Sequence, residues 1–194
     1  MGAVDMSEIV ERAIQSAGLG DLVAARRGGL SPEQVARLRS ADLLVLGALS
    51  DHVRAEEVGP NVTIYVAEPP ADGRPRVVFP VPAASFTGFD LLREVAVARI
   101  SGPRGLRVRL DWTAAGGLEL AQVALGFGVD ELVGRIANKR GLPLEEGELL
   151  GVGKKSRLEA ADLVKRKELA ELVRRAGRVP SFAATAQALE EAHG

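Results

Sequence analysis

Along the N-terminal part of the chain the apolar positions recur at helical spacing. Residues 7–17 place Ile9, Val10, Ala13, Ile14 and Ala17 on one side and Glu8, Glu11 and Arg12 on the other, with Gly18 following as a stop signal. A second short helical piece opens at Asp21 and closes at Gly28-Gly29. From Ser31 onward a capping residue, Pro32 at the first helical position and Gln34 where a capping box needs it together predict one long helix over 31–57. Between Val35 and Val53 its apolar residues exceed what a single face requires, so burial over much of its length is expected.

After residue 60 the pattern shortens. "NVTIYVAEPP" predicts a strand stopped by Pro69-Pro70, and "PRVVFPVP" a second short strand bracketed by prolines. "TGFDLLREVAVARI" returns to helical spacing through Leu91, Leu92 and Val95. In "GLRVRLDW", Leu106, Val108 and Leu110 alternate with Arg107, Arg109 and Asp111, as in a third strand. Strand, helix, strand is a βαβ unit, which predicts a parallel pair joined by a right-handed crossover. The rest reads as three helices: "GLELAQVALGFGVDELVGRIANKRG", "SRLEAADLVKRKELAELVRRAG" and, after Pro180, "SFAATAQALEEAHG". "GLPLEEGELLGVGKKS" is a loop-like insert. The expected fold class is therefore α/β, a small three-stranded, partly parallel sheet covered by helices. Residues 1–194 form a single domain, with N-terminal helices over 1–58, the sheet and its crossover helix over 62–112, and C-terminal helices over 117–194.

Composition narrows the chemistry. The 194 residues contain 25 Lys plus Arg against 26 Asp plus Glu, so no overall field draws in nucleic acid or an anionic membrane. Basic residues concentrate between 135 and 178, but no aromatic interleaves them, and a solvated helical face explains them better than a nucleic-acid site. Charges interrupt every apolar run, and the start "MGAVDMSEIVER" lacks a signal-like core, so a cytoplasmic location with no membrane contact is expected. There is no cysteine, which removes disulfides, thiolate zinc sites, Cys nucleophiles and cysteine-ligated iron–sulfur clusters. His52 and His193 are the only histidines, so no multi-histidine metal site is possible and no metal is expected. "GVGKKS" at Gly151–Ser156 misses the phosphate-loop pattern, with Glu148 where the leading glycine belongs and Lys155 where Ser or Thr must follow the lysine.

The two ends of the chain carry a more specific pattern. "GGLSPEQVARLRSADLLVLGALSDHVR", with Leu44, Gly47, Ala48, Asp51 and Arg54, resembles the helix that precedes the first barrel strand in the radical SAM enzymes of the menaquinone (futalosine) pathway. Those enzymes are aminofutalosine synthase and the dehypoxanthine futalosine cyclase. "TGFDLLREVAVARI", "LELAQVALGFGVDELVG" and "ELAELVRRAGRVP" are similar to the end of the same family, through positions that include Gly88, Asp90, Arg99, Gln122, Phe127, Gly128, Asp130, Gly134, Arg174, Gly177, Arg178 and Pro180. The resemblance covers roughly two-thirds of the chain and implies a truncated β/α barrel whose middle has been deleted, since a full barrel needs about 200–250 residues. The departures are large. Where the family's first strand runs into a loop of three cluster-binding cysteines, "VTIYVAEPPADGRPRVVFP" follows without one, so the family's radical chemistry is not carried over. Val129 stands where a small or amide residue is favoured, and Arg135 where Thr is.

Together these features lead to the expectation of a non-catalytic, degenerate radical SAM-like accessory or binding protein, linked to menaquinone biosynthesis and without a cofactor. Its expected partner is a second copy or another protein, because a three-stranded sheet leaves open edges and surface once covered by the missing strands. The alternative is an enzyme or small-molecule binder that uses a retained pocket for non-radical chemistry on a nucleoside-like or chorismate-derived metabolite. Open α/β sheets bind ligands at the carboxyl ends of their strands, which nominates Glu68, Ser85, Asp111, Trp112 and Thr113 as lining groups. Each also has a plain structural role available: Glu68 and Asp111 as strand terminators, Trp112 as core.

Overall fold

The computed structural model describes residues 6–65, 73–79, 87–134, 136–137 and 164–183. The N-terminal helices follow the expected caps. Helix α1 spans Met6–Ser16 and α2 spans Gly20–Ala25, the latter running into a 3₁₀ turn over Arg26–Gly28. Ser31 and Gln34 close the capping box that starts α3, Pro32–Ser40. The predicted long helix is, however, two helices. Ala41 turns the chain into an extended conformation, and the Asp42 carboxylate then accepts from the backbone N–H groups of Leu44 (2.9 Å) and Val45 (3.1 Å) to start α4, Leu43–Val58. An aspartate directly before an apolar run is an N-cap in its own right, and it competes with helix continuation.

Five strands, all parallel, make the main sheet: β1 (Asn61–Tyr65), β2 (Arg76–Phe79), β3 (Arg107–Asp111), β4 (Glu131–Val133) and β7 (Val179–Phe182). Their order is β2-β3-β4-β1-β7. A separate two-stranded parallel sheet joins β5 (Ile136–Ala137) to β6 (Val164–Lys165). The expected parallel βαβ unit is present, with β2 and β3 connected through α5, Gly88–Ser101, whose N-terminus carries a Thr87–Asp90 capping box. The expected count of three strands is corrected to five, and partly parallel becomes fully parallel.

The two extra strands lie where helices were predicted. Helix α6 (Leu118–Ala124) ends in a 3₁₀ turn over Leu125–Phe127, and Gly128 at φ 103° sends the chain into β4. That left-handed backbone suits glycine, and a side chain there would also strike Ser50 and Arg99. Helix α7 covers Arg166–Arg175, shorter than the predicted segment, and β7 follows it, running through Pro180 into the start of the predicted C-terminal helix. Of the predicted helix over 181–194, Ser181 and Phe182 are in β7 and residues 184–194 lie outside the described residues, as does the insert over 141–156. Among the described residues strand β7 is paired to one neighbour only. Val179 and Ala183 donate to Pro60 and Ile64 in the β1 direction (3.0 Å each), so by strand alternation Pro180 faces the open edge, where it has no N–H to offer.

Alternation divides the sheet into unlike faces. Val62, Ile64, Val108, Leu110 and Leu132 are fully buried, each contributing about 1.5–3 kcal/mol. Among the described residues the helices form one connected layer: α4 packs on α5 and on the 3₁₀ turn after α6, and Leu120 of α6 lies beneath Gly88 of α5. The opposite face carries a polar row in register, Thr63 beside Glu131 and Glu131 beside Arg109, with Val78 next to Arg109.

Candidate functional site

Chemistry-bearing side chains gather on that polar face. Glu131, at the start of β4, accepts through Oε2 from Arg76 Nε (3.0 Å) and Arg109 Nε (2.9 Å), and through Oε1 from the Tyr65 hydroxyl (3.3 Å). Adjacent parallel strands bring β1, β3 and β4 residues to the same height, and Arg76 reaches in from β2. The Glu131 and Arg109 side chains are 3% and 0% exposed. Arg109 also stacks on Tyr65, its guanidinium carbon 4.8 Å from the ring centroid. Both Arg76 and Arg109 make further interactions besides these. Burial, reinforced by the Glu131 carboxylate, raises the Tyr65 phenol above its ordinary value and keeps it neutral.

Immediately before it, Asp130 holds a second pair of arginines. Its Oδ1 is bonded to Arg99 and accepts from the Val108 N–H (2.8 Å), while Oδ2 receives Arg107 (2.7 Å). Arg99 and Asp130 side chains are fully buried, and Arg99 further donates to the carbonyls of Gly128 (3.0 and 2.8 Å) and Leu106. Burial pulls the Arg99 guanidinium below its ordinary value, against the attraction of Asp130. A buried cation with carbonyl and carboxylate acceptors around it joins α5 to the sheet.

The residues nominated at the strand ends are placed as follows. Asp111 and Thr113 satisfy one another: Asp111 Oδ1 accepts from the Thr113 N–H (2.9 Å) and hydroxyl (2.7 Å), closing the turn after β3. Trp112 is 2% exposed, its ring lies against Gly134, where a Cβ would fall inside it, and among the described residues its Nε1 has no hydrogen-bond partner. Glu68 and Ser85 lie outside the described residues. Two clefts open elsewhere. One of 680 Å³ lies by the C-terminal ends of α4 and α5, and one of 480 Å³ lies between α6 and α7; neither is lined by Asp111, Trp112 or Thr113.

Sequence pattern missed Arg76, Tyr65, Glu131 and the Asp130–Arg99 pair as one constellation, because β4 was hidden inside a helical reading. Among the described residues no group of three His, Asp or Glu side chains comes together to hold a metal ion, and no helix is long and apolar enough to cross a membrane. A scan against models of known protein families matches none, and a search of curated proteins finds no significant match.

Proposed function

We propose that the chain is a shortened, cysteine-free relative of the futalosine-pathway radical SAM enzymes, working without catalysis as a binding or accessory protein in menaquinone biosynthesis. One observation carries the reading: residues behind the resemblance on the two flanks bond to each other. Asp51 of α4 accepts from Arg54 (2.8 Å) and from Arg178 (2.5 Å) on the turn before β7. Gly47 of α4 leaves room for the Phe127 ring, and Arg99 of α5 grips Gly128 and Asp130. Resembling positions that contact one another are what a retained scaffold requires. A role without radical catalysis is supported by the absence of thiolates from the sequence and by the engagement of Asp111, Asp130 and Glu131 in internal bonds.

The test mixes the full chain with a cluster-bearing enzyme of the futalosine pathway from the same host and follows sedimentation velocity and substrate turnover. The expected result is a discrete complex with altered turnover by the enzyme, and no turnover by the chain alone. Turnover of a nucleoside-like or chorismate-derived metabolite by the chain alone overturns the reading, as does the absence of any complex.

A further inference from the structure

The 680 Å³ cleft stands apart from the resemblance and from the charged sheet face, and its volume falls in the range of small-molecule sites. Its floor is an ion pair, Arg26 with Glu57, whose side chains are 9% and 6% exposed. Arg26 donates to the carbonyls of Ile100 (2.9 Å), Arg99 (3.2 Å) and Gly102 (3.3 Å), neutralising the carbonyl end of α5 that otherwise repels an anion. Glu57 accepts from the Gly105 N–H (3.0 Å). The pair therefore pins the loop on both sides of Arg104, through Gly102 and Gly105, and presents that residue at the cleft from a fixed backbone. Pinning of this kind lowers the ordering cost of binding.

The charges of the lining are unequally used. Arg26 and Glu57 answer each other. Among the described residues Arg104 has no ion-pair partner, and Glu56 is met only by the half-exposed His52 one turn earlier (3.4 Å). Among the described residues a cation without an ion-pair partner and a carboxylate met only by His52 thus line the same cleft, with Val23 and Pro103 supplying apolar wall. We propose that this cleft binds a small zwitterion of the α-amino-acid class with an apolar side chain, its carboxylate on Arg104 and its ammonium on Glu56. An anion without an ammonium leaves Glu56 repelling it, and an amine without a carboxylate leaves Arg104 unanswered.

Titration calorimetry of the full chain with L-phenylalanine, phenylpropionate and phenethylamine tests the assignment, because the three share a ring and differ in charge. L-phenylalanine is expected to bind, and each singly charged analogue to bind about tenfold more weakly or worse. Arg104→Ala and Glu56→Gln, both at exposed positions outside the core, are expected to weaken L-phenylalanine by a similar factor while leaving the unfolding midpoint in place. Phenylpropionate binding as tightly as L-phenylalanine overturns the proposal. So does unchanged binding by both variants, or no heat from L-phenylalanine at millimolar concentration.

Discussion

Asp130 and Glu131 are consecutive residues, each held by two arginines, yet they do different work. Asp130 joins layers: its partners come from α5 (Arg99) and β3 (Arg107 and the Val108 N–H), so helix and sheet meet at one carboxylate with no solvent access. Glu131 joins strands only, with Arg76 from β2, Arg109 from β3 and Tyr65 from β1, and Arg76 remains 14% exposed. A carboxylate that fastens two layers is worth more to the fold than one that decorates a single layer. The one exposed to neighbouring phenol and guanidinium groups has the richer chemistry.

Asp130→Ala separates the two most sharply. It strands Arg99, a fully buried cation, and is expected to cost about 3–5 kcal/mol, read as a large fall in the urea midpoint. If the variant does not accumulate, Arg107→Gln, which removes only the partly exposed partner, should fold with a much smaller loss. Glu131→Gln is expected to cost less, about 1.5–3 kcal/mol, because a neutral acceptor remains for the buried Arg109, which makes further interactions, and Arg76 can turn to water. An equal cost for both acids erases the distinction. Gly134→Ala drives a methyl group into the Trp112 ring and is expected to lose about 1–3 kcal/mol, with a shift in the emission of the chain's single tryptophan. The single tyrosine gives a spectroscopic reading of the Glu131 site. Tyr65 is expected to ionise above 10.0, and Glu131→Gln, which removes a negative neighbour, should lower that value. Because the folded-state value is raised, the phenol's contribution to stability is present below its unfolded value and is lost as pH rises through the folded one. The smallest effect belongs to Asp90, whose carboxyl is held below 3.8 by the Thr87 hydroxyl and backbone N–H. Its cap stabilises above the unfolded value and fades as pH falls through the folded one, so Asp90→Ala should flatten only the acid limb of the stability profile.

The helical caps were legible because their signals are local: Ser31 with Gln34 needs only four consecutive residues. Strands β1 to β3 were legible for the same reason, β1 and β2 through the prolines that stop or bracket them and β3 through period-two alternation. Strand β4 was not, because "LELAQVALGFGVDELVG" keeps apolar residues at helical spacing throughout, and only the backbone angle at Gly128 breaks it. With β4 hidden, Asp130 and Glu131 fell within a helical segment, and nothing in the sequence brought their arginines to them. Alternation in β3 identified Arg109 as polar-facing but not as buried, since a sheet face becomes a cluster only when the neighbouring strand is known. The Asp42 cap was present in the sequence and lost to the longer pattern around it.

Pro180 has a consequence at the scale of a solution rather than a molecule. Among the described residues the sheet of five parallel strands ends at β7, and its outermost strand withholds a donor midway along its rim. A strand arriving from a neighbouring molecule finds an interrupted ladder there, so concentrated protein lacks a continuous template for fibril growth on that side.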